Sequence, residues 1–361
     1  MRVTDQDSQI ALPDGVSQRD IADEIGISIS TVSRALSGSE RVSRRTLDDV
    51  QRAIETLRHR QRGDTTRSGR GLIGLTTSHL SDEARASQLD LIASQVLGGA
   101  ELAAHQLGHR IYTARDSKLL LDPSNADLLE SMSGLLLTGG MVNQKVLDFA
   151  LQSGLPVCIV GGHVPERGVP SVAADSQHGM YLATRHLIEL GHTRIALVNG
   201  PQATYTSHEK LAGYLSALTE ANLPASLDLV AWFHWFSAFD SASGLETMNH
   251  LLTLGEPPTG IIFATDELAM GAISLLERRG ISVPEQVSIT GFHDDPFATA
   301  VTPQLTTIRV DRTMWGDRAV KRVIAAERGE AMQADRLLLP VELVVRDSTG
   351  PAPATRKGKH S

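Results

Sequence analysis

Apolar positions recur at helical spacing from Ser17 to about Arg58, and nothing in that stretch alternates. Ile21, Ala22 and Ile25 form a first stripe, opened by the capping-box-like pair Ser17 and Asp20. Gly26 then supplies a left-handed turn at no steric cost. Ser28 is placed to cap a second helix from Ile29 to about Ser37, with Gly38 positioned to stop it. Val32, Ala35 and Leu36 face inward on that helix, which leaves Ile29, Ser30, Ser33 and Arg34 facing out. A third helix over 44–58, capped by Ser43, offers Leu47, Val50, Ile54 and Leu57 to the same small core. Two short helices joined by a glycine turn, with small Ala22 where the second approaches the first, predict a helix-turn-helix.

Beyond Leu72 the pattern changes. Short apolar runs (LIGLTTS, RIYTA, GLLLTG, PVCIVG, RIALVNG, LVAWFHW, GIIFATD and VSITGF) read as buried parallel strands. Amphipathic stretches ending in glycine lie between most of them, over 87–108, 143–154, 177–191 and 267–280. Such alternation implies a parallel sheet covered on both faces. About ten strands are too many for one comfortable open sheet, so two lobes are expected. Residues 1–16 lack periodicity and read as a flexible arm. The stretch QRGDTTRSGRG over 61–71, with three glycines and no large apolar side chain, reads as a linker. TGPAPATRKGKHS over 349–361 is polar and proline-rich and reads as a disordered tail.

The chain has 361 residues, 41% hydrophobic and 21% charged, the composition of an ordinary globular protein of two or three domains. No apolar run approaches the roughly 18 residues of a membrane helix, and the polar start has no signal-peptide core. A soluble, cytoplasmic protein without a membrane partner is expected. The single cysteine, Cys158, rules out an intrachain disulfide framework and lies in an apolar run, as a buried inert thiol would. Net charge is −8, which taken whole argues against a nucleic-acid protein, but the charge is unevenly placed. Residues 41–70 hold nine arginines against four acids, a pointer to a polyanion partner or, more blandly, to a solvated helix face.

A DNA partner explains why a helix would be built from serines. Short hydroxyl side chains let a backbone come close and donate to phosphates or base edges, and Arg34 can reach guanine bidentately. The stretch RDIADEIGISISTVSRALSGSERVSRRTLDDVQRAIETL resembles the headpiece of the lactose/galactose-repressor family. The resemblance runs on through LIGL, GLLLTG, LIELGHTRIALVNGP, KLAGYLSAL, FATDELAMGAI, VPEQVSITGF and PQLTTIRVD, nearly the whole chain and in order. It implies an all-α helix-turn-helix headpiece over 17–60 and a two-lobed, Rossmann-like domain of the periplasmic-binding-protein type over 72–348. The N-lobe would span about 72–172 plus 306–330, and the C-lobe about 173–305 plus 331–348. By the same resemblance Ile29, Ser30 and Arg34 would read bases, and Ser17, Ser28, Thr31, Ser33, Ser43 and Thr46 would contact phosphates.

Two departures from the family stand out. The family follows its third helix with Tyr-x-Pro-Asn and a hinge helix whose leucine wedges into the minor groove. Here His59 and Gln61 replace the tyrosine and proline, and no leucine is present. The second departure lies in the cleft. Ligands of open α/β sheets bind beyond the carboxyl ends of strands, which picks out Ser78, Thr265, Asp266 and His293. The family adds Lys210, where it usually has arginine, and an aromatic at Phe239, with Glu83 on the matching N-lobe loop. His293 stands where the family commonly has an aspartate that holds ligand hydroxyls. Opposite Lys210, it makes the cleft less acidic and admits a sugar acid or sugar phosphate beside the neutral sugar that family precedent favours.

Several residues also have plainer readings. Asp266 opens a helix and can serve only as its cap; Phe239 can be core; His186 and His192 suit helix C-terminal ends. The thirteen histidines show no HExxH or paired Cys/His spacing, so no metal site is expected. GLLLTGG and IVGGH do not form the GxGxxG that opens a helix, and no Gly-x-Ser-x-Gly elbow occurs, so neither a cofactor nor an enzyme is expected. The reading is a ligand-responsive transcriptional regulator, a repressor that binds a pseudopalindromic operator as a homodimer and answers to a small carbohydrate-type effector. A small-molecule binding protein without DNA binding, and an enzyme on the same core, are the competing classes.

Overall fold

The structure is a computed structural model that describes residues 17–37, 42–43, 46–47, 49–54, 71–77, 91–114, 125–140, 142–232 and 241–354. The chain divides into two compact units, Met1–Arg70 and Gly71–Ser361. Expectations that fall on other residues lie outside the described ones: the arm over 1–16, most of the linker, Gly38, Leu57, Ser78, Glu83 and Phe239.

In the first unit, α1 (Gln18–Ile25) and α2 (Ile29–Leu36) form because each has a stripe of apolar residues and a serine at its N-cap. Ser17 and Asp20 make the reciprocal capping box, closing two donors that the first turn leaves unsatisfied. Gly26 ends α1 with φ 66°, a conformation that costs a β-carbon-bearing residue about 1 kcal/mol or more. Residues 46–47 and 49–54 are helical, and Ser43 Oγ accepts the Thr46 N–H at 3.1 Å. Ile21, Ala22, Val32, Ala35, Leu36, Val50, Ala53 and Ile54 close one small core.

The second unit has two parallel sheets. The first contains β1 (Leu72–Thr77), β2 (Arg110–Ala114), β3 (Met132–Thr138), β4 (Val157–Val160) and β5 (Ser171–Ala174). The second contains β6 (Ile195–Asn199), β7 (Val230–Trp232), β8 (Gly260–Phe263) and β9 (Ser288–Thr290). The chain then returns through β10 (Thr307–Val310), β11 (Arg336–Leu339) and β12 (Val341–Val344). Strand order is β11-β5-β4-β3-β1-β2 in the first sheet and β7-β6-β8-β9 in the second, while β10 and β12 form an antiparallel pair. Every residue of β3 is buried, as a central strand covered on both faces requires.

Helices α3 (Leu91–Gln106), α4 (Ala126–Glu130), α5 (Gln144–Gln152), α6 (Ser176–Glu189), α7 (Tyr205–Glu220), α8 (Ser241–Thr253), α9 (Asp266–Arg278) and α10 (Arg312–Glu327) connect the strands. Helices α3 and α10 meet backbone to backbone. A β-carbon on Gly316 would lie 2.0 Å from the Val96 carbonyl oxygen, and one on Gly99 would lie 1.8 Å from that of Thr313. No side chain fits at either position, so glycine sets the helix separation.

Three features correct the sequence reading. Strand β11 pairs with β5 in the first sheet, so residues 336–339 belong with the N-lobe and not the C-lobe. The start of the expected disordered tail is fixed onto the second lobe by its backbone: Gly350 N donates to Ser288 Oγ at 3.1 Å and Ala352 N to the Leu190 carbonyl oxygen at 2.8 Å. His192, 1% exposed, accounts for that anchoring, since its ring bonds Thr259 Oγ1 at 2.8 Å, Ser288 Oγ at 3.0 Å and the Gly350 carbonyl oxygen at 3.1 Å. Burial lowers the pKa of both His192 and His186, so they are neutral connectors and not helix-end cations. Cys158 is fully buried, and burial pushes its thiol up to about 12, the inert state expected of it.

Candidate DNA-reading and effector sites

The outward face of α2 presents Ile29, Ser30, Ser33 and Arg34, all exposed, with Ile29 keeping 48% of its surface. The serines fold this helix as well as facing out from it. Ser28 Oγ accepts the Thr31 N–H at 3.2 Å and bonds the Ser30 and Thr31 hydroxyls at 2.9 and 2.8 Å. Ser43 and Thr46 repeat the arrangement at 2.7 Å. Ser17, Ser28 and Ser43 therefore place a hydroxyl at the N-terminus of a helix, where the local dipole favours an anion such as a phosphate. Arg34 lies back along α2 with Nε donating to the Ser30 carbonyl oxygen at 2.9 Å, an exposed bond that water can replace when the side chain extends.

In the second unit, four expected cleft residues meet at the carboxyl ends of β8 and β9. Thr265 caps α9, its Oγ1 accepting from Leu268 N at 3.4 Å, so the cap is Thr265 and not Asp266. Asp266 is wholly buried and turns inward, with Oδ1 accepting from Thr307 Oγ1 at 2.5 Å and Oδ2 from the Asp295 N–H at 2.7 Å. Both oxygens shape the 293–295 turn. That turn is strained: His293 has φ 119° and Asp294 φ 57°, conformations that cost a non-glycine residue on the order of 1–3 kcal/mol each. It is held by His293 N–H on the Ile308 carbonyl oxygen at 2.7 Å, and by Asp294 bonded to Arg309 at 2.8 Å and Arg346 at 2.5 Å. Strain of this kind survives where neighbours over-determine it, commonly at binding sites.

Lys210 is 5% exposed, donates to the Ala264 carbonyl oxygen at 2.7 Å and lies 4.0 Å from the Phe292 ring centroid. Burial, helped by Arg312, brings its pKa down to about 7. His293 packs edge-on against Phe292, with centroids 5.3 Å apart. Burial, Arg312 and Lys210 push its pKa well below the usual histidine value, so the imidazole is neutral and the expected cation at this position is absent. Burial likewise raises Asp266 to about 6.

The charge that the sequence reading gave to His293 comes instead from Arg312. This residue opens α10 with 2% exposure, and its Nη1 donates to Asp295 Oδ1 at 2.6 Å and Gln95 Oε1 at 2.9 Å. The Asp295 contact bridges the lobes, as Arg312 and Gln95 belong to helices on the first sheet and Asp295 follows the second. A second bridge joins Arg336 of β11 to Glu209 of α7, with the guanidinium 5.1 Å from the Tyr205 ring. Arg312 carried a visible signal in the sequence: a cation in the first turn of a helix opposes the helix dipole and needs a local reason. Asp295 and Gln95 carried none.

A helix-turn-helix with an exposed hydroxyl-and-arginine face, in one chain with a two-lobed domain of parallel sheets, defines a DNA-binding transcriptional regulator of the binding-protein type. Comparison with known proteins agrees. Residues 18–60 match the profile of bacterial regulatory proteins of the lacI family, and residues 184–349 that of the periplasmic binding protein-like domain. The chain belongs to the lacI family. It is 29% identical over 351 residues to the HTH-type transcriptional regulator reg1 of Streptomyces lividans, covering 93% of this chain and 97% of that one. Among solved structures, it resembles the transcriptional regulator CelR–cellobiose complex with TM-score 0.68 and 26% identity, over 92% of this chain and 99% of that one. It likewise resembles the lac repressor dimer bound to operator and the anti-inducer ONPF, with TM-score 0.66 and 26% identity, over 93% and 99%. These relatives are regulators, not enzymes. Among the described residues, no helix is long and apolar enough to cross a membrane.

Proposed function

We propose that this regulator is a repressor whose hold on its operator is set by a small carbohydrate-type effector bound between the two lobes. The observation that carries the reading is the strained, over-determined turn at His293 and Asp294, flanked by Lys210 and Arg312 where the lobes meet. Lys210, Thr265 and His293 are assigned to effector binding, strand-end position and the family resemblance assign Ser78, Glu83 and Phe239 to the same role, and Asp266 positions the turn. Cellobiose in the CelR complex supports a sugar-like ligand, and the lac repressor dimer on its operator supports a homodimer on a pseudopalindromic site. In the headpiece, Ile29, Ser30 and Arg34 read bases while Ser17, Ser28, Thr31, Ser33, Ser43 and Thr46 contact phosphates. The units divide as an arm over 1–16, a headpiece over 17–60, a linker over 61–71 and the two-lobed effector and dimerisation domain over 72–348. The protein works in the cytoplasm. Ligand binding changes lobe closure and so biases headpiece spacing, a coupling typically of about 1–3 kcal/mol.

The test is selection of bound sequences from random duplex DNA by the full chain, followed by anisotropy titration with candidate sugars. A two-fold-related pair of half-sites about one helical turn apart is the expected result. Binding no tighter to any selected sequence than to random DNA overturns the reading.

A further inference from the structure

Arg312 keeps two nitrogens, Nε and Nη2, without any hydrogen-bond partner, although its side chain is only 1% exposed. These two are the pair whose N–H bonds run parallel along one edge of the guanidinium, the fork that fits a carboxylate or phosphate bidentately. The described carboxylates nearby are committed elsewhere. Asp266 accepts from Thr307 and the Asp295 backbone, Asp294 from Arg309 and Arg346, and Asp295 pairs with Nη1 on the opposite side. One turn along the same helix, buried Trp315 also has an unpartnered indole Nε1. Residues three apart share a helix face, so α10 begins with three buried donors lacking acceptors. Leaving a charged donor buried and unpaired is among the costlier things a fold does, and an acceptor brought by a ligand removes that cost.

We propose that the effector bears an oxyanion, a carboxylate or a phosphoryl group, gripped by Nε and Nη2 of Arg312. The proposal rests on the reading that the interlobe cleft is the effector site. Lys210, whose amine donates to the Ala264 carbonyl and lies over the Phe292 ring, is a second group close by that is positive below about pH 7. Asp266 and Asp295 are the negative groups facing this cluster and offset its cations, and His293 is neutral within it, so the anion is called for by the unpartnered fork of Arg312 and not by net charge.

The experiment compares the full-length protein with two variants. Arg312→Lys keeps the charge opposite Asp295 and loses the fork; Arg312→Gln with Asp295→Asn removes both charges, so that neither is left buried alone. Each is checked for its folded state by circular dichroism. Thermal shift and calorimetry then use matched pairs: D-glucuronate and D-glucose, D-galacturonate and D-galactose, D-glucose 6-phosphate and D-glucose, with inorganic phosphate as the minimal oxyanion. The expected result is that an anion binds where its neutral counterpart does not, and binds both variants at least about a hundredfold more weakly, as loss of two charge-assisted bonds implies. Uronates against the phosphate ester tell a carboxylate from a phosphoryl group. The proposal is overturned if no anion, phosphate included, stabilises the wild type more than the variants. A neutral sugar that binds all three proteins equally and alters operator binding overturns it too, and leaves the effector-controlled regulator standing.

Discussion

Asp266→Asn isolates one buried charge at the cleft. The carboxylate is wholly buried, and burial raises its pKa from 3.8 to about 6 despite the bonds from Thr307 and the Asp295 N–H; Asp294 and Asp295 add smaller repulsions. A carboxyl group with a raised folded-state pKa binds more protons folded than unfolded between those two values. Its contribution to stability is therefore full below about pH 4 and is lost as pH rises through about 6. The whole loss is about 3 kcal/mol, of which about 1.4 kcal/mol falls between about pH 5 and pH 8. Asparagine keeps the shape: its oxygen can accept from Asp295 N–H, and its amide can donate to Thr307 Oγ1 once that hydroxyl rotates. Urea unfolding of wild type and Asp266→Asn at several pH values gives the difference between them, in which all other carboxylates cancel. That difference should move by about 1.4 kcal/mol in favour of the variant as pH rises from about 5 to 8. A difference that stays flat across the window refutes the reasoning that Asp266 is held as a costly buried charge.

Arg34→Ala should weaken operator binding by about 1–3 kcal/mol and relax preference at one base position; equal loss on specific and random DNA, measured by anisotropy, would make Arg34 a phosphate contact. Neutralising Arg60, Arg62, Arg67 and Arg70 should flatten the dependence of log K on log salt, since a linker without a leucine wedge leans on phosphates; an unchanged slope rejects this. Gly316→Ala should lower stability by about 3 kcal/mol in thermal or urea unfolding, because its β-carbon meets the Val96 carbonyl oxygen at 2.0 Å and forces α3 and α10 apart. A loss below about 0.5 kcal/mol would show that this crossing yields easily.

The headpiece was legible because its determinants are local. Ser17 with Asp20, Gly26, and Ser28 ahead of Val32, Ala35 and Leu36 each act within about a turn of where they sit, and the structure realises each one. Eight strands were legible as apolar runs, but β5, β10, β11 and β12 were not among them. The residues SVAA of β5 are too small to stand out, TIRV turns an arginine outward, and Pro340 interrupts the run that holds β11 and β12. Pairing across the lobes has no sequence period at all. Nothing near 336–339 says that this strand joins β5, more than 150 residues earlier in the chain. The tail misled for a related reason: its start is fixed largely through the backbone of Gly350 and Ala352, which composition does not report.

At the cleft, the structure brings Lys210, Thr265, Asp266 and His293 together, and it departs from the sequence reading in the charge of His293. His293 stands where the family has a carboxylate, and a histidine opposite a lysine looks like half of an anion site. Burial reverses that reading, because Lys210 and Arg312 already supply positive charge and a third buried cation beside them is disfavoured. Sequence position ranks His293, Lys210 and Asp266 as equals, whereas the fold separates them by what each oxygen or nitrogen already holds. Asp266 has spent both oxygens on the turn, Asp294 is tied between two arginines, and Lys210 sits against an aromatic face. Among the described residues of the cleft, only Arg312 has a bidentate edge left over. A residue that the sequence reading passed over thus becomes the one best fitted to discriminate ligands, since a site built to donate hydrogen bonds rejects molecules that cannot accept them.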